Sequence, residues 1–135
     1  MKTISRLTKI LFIPMLILLI GACENKADYK SYLVKVDSVQ VPTAITSNTP
    51  FEIKFYGTIS PNGCSSFTNF DVKEESNNIV IKAWAKADLK SSVCPSVIVS
   101  LNGHNLTYTV PDKGIYVLKI KQPDNSYLEK AITIN

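Results

Sequence analysis

The chain has 135 residues, 45% hydrophobic and 19% charged, with a formal net charge of +4 and three cysteines. That length holds one small domain and not two, and a core of that size buries only a moderate share of the surface, so a covalent staple would help it. The charge is unevenly placed: Lys2, Arg6 and Lys9 open the chain, and from Cys23 onward twelve lysines face eleven carboxylates, a net of +1, with no arginine. This balance leaves no electrostatic footprint for nucleic acid and takes away the bidentate arginine clamp on phosphate or carboxylate.

Residues 1–9 are basic, Ile10 to Ile20 is an apolar run of 11 residues, and Ile20-Gly21-Ala22-Cys23 follows. A membrane span needs about 20 apolar residues, so the run reads as a secretion signal rather than a transmembrane helix. The four residues ending at Cys23 resemble the lipobox of bacterial lipoproteins, with an aliphatic residue three before the cysteine and small residues beside it. The resemblance implies removal of residues 1–22 and a diacylglyceryl group on the Cys23 thiol. Residues 24–31 are polar and without period, and the stretch 23–31 reads as a lipidated tether.

From Tyr32 onward the period is two, the period of strands. Tyr32, Val34 and Val36 alternate with Leu33 and Lys35; after Asp37-Ser38 the apolar phase slips by one to Val39 and Val41, as at a bulge or a sheet switch. Phe51, Ile53 and Phe55 form the next run, and Pro61-Asn62-Gly63 a turn. Phe67, Phe70 and Val72 follow, then a polar hairpin candidate at Glu74–Asn78. Ile79, Ile81, Ala83 and Ala85 alternate with Val80, Lys82, Trp84 and Lys86. Val97, Val99 and Leu101 precede an Asn102-Gly103 turn; Leu106, Tyr108 and Val110 precede Pro111-Asp112-Lys113-Gly114. Tyr116, Leu118 and Ile120 precede Pro123-Asp124-Asn125, and Leu128, Ile132 and Ile134 close the chain. Seven or eight short strands, with turns about every 8–12 residues and no helical period, predict an antiparallel β-sandwich over residues 32–135.

With Cys23 lipidated, Cys64 and Cys94 remain. An even pair in an exported domain reads as one disulfide, whose loop of about 31 residues is worth roughly 3–4 kcal/mol in the chain-entropy model. A metal site on the same pair would need further ligands, and His104 is the only nitrogen ligand in the chain.

Pro50–Gly57, Pro61-Asn62-Gly63-Cys64, Asn78–Ile81, Val93-Cys94-Pro95 and Gly114-Ile115-Tyr116-Val117 follow one another in an order that resembles a family of small immunoglobulin-like domains of bacterial secreted proteins and lipoproteins. There a Pro-x-Gly-Cys turn follows a strand, its cysteine pairs with a later one, and Gly-x-Tyr opens a late strand. The resemblance covers about residues 50–120 and implies an immunoglobulin-like fold and an exported compartment, without catalytic residues or a ligand. The Gly-x-Tyr also resembles a tyrosine corner. Both cysteines sit in loop contexts, unlike the usual cross-core immunoglobulin bridge.

For chemistry, His104 would need a serine and a carboxylate, with Ser100 and Asp112 the nearest in sequence. No nucleophile-elbow motif accompanies them, and His104 after Asn102-Gly103 reads as a solvated turn residue. No phosphate loop or metal-ligand spacing occurs, and Glu74-Glu75 reads as a solvated turn. Trp84 is the oddity: period two places it with Lys82 and Lys86 on the face opposite the aliphatic one, where it could stack on a sugar ring or anchor a partner. The bland reading has it covering a cross-strand neighbour or the lysine stems. Asn105-Leu106-Thr107 is an N-glycosylation sequon of chance occurrence, and Asp37-Ser38-Val39 resembles a three-residue O-glycosylation motif of Bacteroidetes centred on Ser38.

These readings predict a domain held to the cell envelope, at the outer membrane, by lipid on Cys23. It would carry no cofactor, leave nucleic acid alone, and bind a protein or a glycan rather than catalyse. The rivals are a periplasmic inhibitor of a hydrolase such as lysozyme, and a hydrolase using His104.

Overall fold

The computed structural model describes residues 28–135, in which ten strands and no helix occur. They are β1 (Tyr29–Leu33), β2 (Ser38–Gln40), β3 (Phe51–Tyr56), β4 (Thr58–Ser60), β5 (Ser65–Glu75), β6 (Asn78–Asp88), β7 (Val99–Ser100), β8 (Asn105–Tyr108), β9 (Gly114–Lys121) and β10 (Tyr127–Ile134). Residues 1–22 and Cys23 lie outside the described residues.

β6 organises the larger sheet. Its alternation of β-branched and small residues gives one face with Ile79, Ile81, Ala83 and Ala85 all fully buried, the mark of a strand with one dry side. One edge carries β5 along its whole length in a hairpin closed by Ser76, whose φ is 55°. The other edge is divided. Residues 84–88 pair antiparallel with β1, and residues 78–81 pair parallel with β9, whose far edge takes β10.

The facing layer is β2-β3-β8 together with β4-β7. Lys54 faces Asn105 on one side of an interruption, and Thr58 faces Ser100 on the other. β3 and β4 are therefore one run broken at Gly57, and β7 and β8 one run broken at residues 101–104. Counted as runs, the ten strands are eight, within the seven or eight the periodicity predicts. Between the layers lie Val34, Val36, Ile53, Phe55, Ile79, Ile81, Leu118, Ile120, Ile132 and Ile134, all buried, with Tyr116 only 5% exposed. The protein is thus an all-β sandwich.

Three features differ from the expectation. The β6–β9 pair is parallel, because side-chain alternation sets which face is wet and not the direction of a neighbour. β1 begins at Tyr29 rather than Tyr32, so residues 29–31, read as tether, are part of the sheet. Backbone bonds to Lys86, Ala87 and Asp88 hold them, and such bonds need no apolar side chain. The chain's last residues are also bonded to its early part: Ile45 bridges Ile134 in parallel, the Ser47 N–H donates to the Asn135 carbonyl, and the Asn135 N–H donates to the Ile45 carbonyl.

The phase slip at Asp37-Ser38 is a sheet switch. β1 leaves β6 after the Val34 N–H donates to the Ala83 carbonyl (2.9 Å), and the chain joins β3 as β2 in the facing layer. Gly57 lies beneath this crossover, where a Cβ would come within 2.6 Å of the Lys35 carbonyl oxygen, so only glycine fits. Midway, Val36 is buried with no strand beside it. Gln122, 8% exposed, serves as its partner. The Val36 N–H donates to Gln122 Oε1 (3.1 Å), and Gln122 Nε2 donates to the Val36 carbonyl (3.2 Å) and the Ile120 carbonyl (3.4 Å). One side-chain amide thus replaces a backbone bridge.

Gln122→Ala leaves two buried backbone groups of Val36 without partners. Unfolding in urea should show a loss of about 2–5 kcal/mol; a change under about 0.5 kcal/mol would mean that the amide is not holding the crossover.

Candidate functional site

Period two along β6 sends Ala83 and Ala85 inward and Lys82, Trp84 and Lys86 outward. The alanines are small for a reason in their cross-strand partners. Phe70 lies opposite Ala83 and Phe67 opposite Ala85. Those rings fill the space above the alanines: Phe70 stacks on Phe55 at 4.3 Å and lies 4.8 Å from Phe67. Phe67 and Phe70 are three apart yet face the same way because β5 bulges between Phe67 and Asn69.

The bulge shapes the outer face as well. It sets Thr68 and Asn69 side by side and exposed, with Asn69 directly opposite Trp84. Bulges often re-aim side chains in this way beside functional sites. On the other flank Leu33 of β1 is the cross-strand partner of Trp84. The indole is therefore half-buried, with Leu33 on one side and Asn69 on the other.

Both lysines have partners other than the indole. Lys82 Nζ reaches Asp71 Oδ2 of β5 (3.5 Å), and Lys86 Nζ sits over the Tyr29 ring of β1, 4.6 Å from its centroid. What remains beside the indole is an open depression of about 500 Å³ bordered by Ser31, Thr68, Asn69, Phe70, Asp71, Val72 and Trp84. An aromatic face ringed by hydroxyl, amide and carboxylate groups can stack on an apolar ring face and hydrogen-bond its polar rim. Of this set, period two identified Trp84 alone as a candidate contact; Lys82 and Lys86, expected beside it, do not border the depression. Ser31, Thr68, Asn69 and Asp71 were missed; the uneven Phe67/Phe70 spacing is the signal that could have located the bulge.

The other weighed residues fall elsewhere. His104 is not a freely solvated turn residue: its ring stacks on Phe67 at 4.3 Å and extends the Phe55–Phe70–Phe67 ladder. The turn chemistry before it holds, with Gly103 at φ 91°. Ser100 Oγ accepts from the Asn102 N–H, and Asp112 lies in the turn beyond the far end of β8, so no hydrogen bond joins His104 to either. Glu74 and Glu75 end β5 as partnered groups rather than a bare turn. Tyr108 Oη donates to Glu74 (2.9 Å), and burial together with that carboxylate pushes the Tyr108 hydroxyl up to about 12. Glu75 pairs with Lys73 at 2.7 Å. Asn105 Nδ2 donates to Glu52 (2.9 Å), and Ser38 is exposed at the start of β2. Among the described residues no cluster of three or more metal-ligating side chains occurs.

Cys64 and Cys94 form a disulfide with Cα atoms 5.1 Å apart. It ties the turn before β5 to the loop between β6 and β7. The tie is reinforced where Gly63 N–H donates to the Pro95 carbonyl and Asp88 N–H to the Cys64 carbonyl. Comparison with known proteins found no family model that matches the chain, and no similar curated protein or solved structure.

Cys64→Ala together with Cys94→Ala should lower stability by about 2–4 kcal/mol, read as a fall in Tm, with the β circular-dichroism signature retained at low temperature. An unchanged Tm would mean the bridge constrains nothing.

Proposed function

We propose that this chain is a lipoprotein of the bacterial cell envelope, anchored at the outer membrane by lipid on Cys23, whose sandwich binds a glycan at Trp84 rather than catalysing a reaction. Three sequence features support the anchor together: the basic start, the apolar run of 11 residues and the Ile20-Gly21-Ala22-Cys23 order. A disulfide between the two remaining cysteines suits an oxidising compartment, and the ordered motifs resembling secreted immunoglobulin-like domains point the same way. The observation that carries the binding reading is the half-buried Trp84, set on an outer sheet face among Ser31, Thr68, Asn69 and Asp71. Ser31, Thr68, Asn69 and Asp71 offer hydrogen bonds to the hydroxyls of a sugar, while the indole, with Phe70 and Val72 beside it, offers an apolar surface to its ring face.

Three measurements test this. Intact-mass analysis of protein extracted from membranes should give a chain beginning at Cys23 with a diacyl or triacyl adduct; an unacylated product, or one retaining residues 1–22, overturns the anchor.

Trp84 is the sole tryptophan, so its emission reports directly on the site. Titration with soluble envelope polysaccharides should shift that emission. Trp84→Ala should weaken glycan binding, followed by calorimetry, about tenfold, with the fold intact. Emission unmoved by any of the glycans, or affinity unchanged in the variant, overturns the site.

A further inference from the structure

Of the seven large hydrophobic side chains exposed among the described residues, five share one end of the sandwich, while Ile115 and Tyr127 stand singly on β9 and β10. Leu89 (61% exposed), Val93 (79%), Val97 (54%) and Ile98 (71%) fall within the ten residues that join β6 to β7, and Tyr29 (53%) stands at the same end of the sandwich. Single exposed aliphatics need no explanation, but a cluster of them does. Nor is the cluster a floppy connection. The Cys64–Cys94 disulfide, the Gly63-to-Pro95 bond and a Ser91 Oγ bond to the Val93 carbonyl (2.9 Å) hold it in shape. A chain that fixes apolar groups in water with a covalent bond is holding them ready for something apolar.

Position identifies the occupant. The Leu89 N–H donates to the Asp28 carbonyl (2.9 Å), and Lys90 Nζ pairs with the Asp28 carboxylate. The loop therefore begins at the point where the chain enters the domain. Cys23 precedes Asp28 by five residues, a reach of at most about 18 Å, and the headgroup layer of each leaflet is about 5–8 Å thick.

We propose that the stapled loop Leu89–Ile98 seats its aliphatic side chains in the headgroup region of the bilayer to which Cys23 is attached, an inference that rests on the lipid-anchor reading. Attachment through so short a segment keeps the loop at high effective concentration over lipid, an advantage no diffusing protein partner has. The charges at this end nearly cancel: Lys30, Lys86 and Lys90 against Asp28 and Asp88. The contact is therefore apolar and needs no anionic lipid. It also sets orientation. β6 runs from Asn78 toward the membrane, ending at Asp88, so Trp84 stands four residues, about 13 Å, above the loop on a sheet face turned sideways.

The test uses the full-length acylated chain in phosphatidylcholine vesicles, its adduct verified by mass. An Ile98→Trp reporter, in a Trp84→Phe background, should lose about half its emission or more when the lipids carry brominated acyl chains. The unsubstituted chain, reporting from Trp84, should lose almost none. Adding phosphatidylglycerol should change neither result.

Hydrogen exchange of the unsubstituted chain gives a second reading free of substitutions. Residues 89–98 should exchange about tenfold more slowly on vesicles than in detergent-free solution after enzymatic deacylation.

An acylated chain with an unquenched reporter and an unprotected loop overturns the docking and leaves the anchor standing. Absence of the adduct overturns the anchor and the docking with it. Protection only when envelope proteins are added, or only with anionic lipid, overturns the apolar bilayer contact in favour of a protein partner or a charge-driven one.

Discussion

A strand edge can be hydrogen-bonded only once at each residue, and the sandwich is arranged around how β6 divides its second edge. Residues 84–88 go to β1 and residues 78–81 to β9. The two cannot continue past one another, so β1 must turn out of the sheet, and it does so within three residues of its last pair. The turn-out would strand the Val36 amide in the core if Gln122 did not meet it with both ends of its own amide. Gly57 is bound to the same event, since the departing chain passes where its side chain would be. From that divided edge follow the second sheet, which begins with β2, and the closing of the core between the layers.

Much of this was legible because period two reports burial directly. The inward residues of β3, β6 and β9 are those the alternation selects, and the slip at Asp37-Ser38 marks the sheet switch. The leftover cysteine pair gave the disulfide. Gln122 was not legible, because a polar residue ahead of Pro123-Asp124-Asn125 looks like part of the turn, and its role exists only once Val36 is seen to lack a strand partner. The parallel β9 pairing and the early start of β1 were hidden for a related reason: backbone hydrogen bonds leave no pattern in side-chain chemistry. His104 was misplaced because its ring partner, Phe67, is distant in sequence.

The Trp84 face and the core beneath it share a single cause. The extra residue in β5 brings Phe67 and Phe70 to the inside, where Ala83 and Ala85 make room, and on the outside crowds Thr68 and Asn69 against the indole. An insertion that looks like an irregularity in pairing therefore arranges both an aromatic ladder, reaching from Phe55 to His104, and a polar rim around an aromatic surface. The two alanines are fixed by the ladder as firmly as the larger core residues, since a bigger side chain at either position would displace a ring.

The bonding of Ile134 and Asn135 to Ile45 and Ser47 sets the order in which the domain can assemble. β6 has a hairpin partner in β5 as soon as both exist, whereas the segment around Ile45 finds its partners only late in the chain, first at Val110 and Pro111 and then at Ile134 and Asn135. Contacts between the two ends of a chain carry the largest loop-closure cost and are made late. A nascent chain lacking its final dozen residues is therefore an open sheet with an apolar face uncovered.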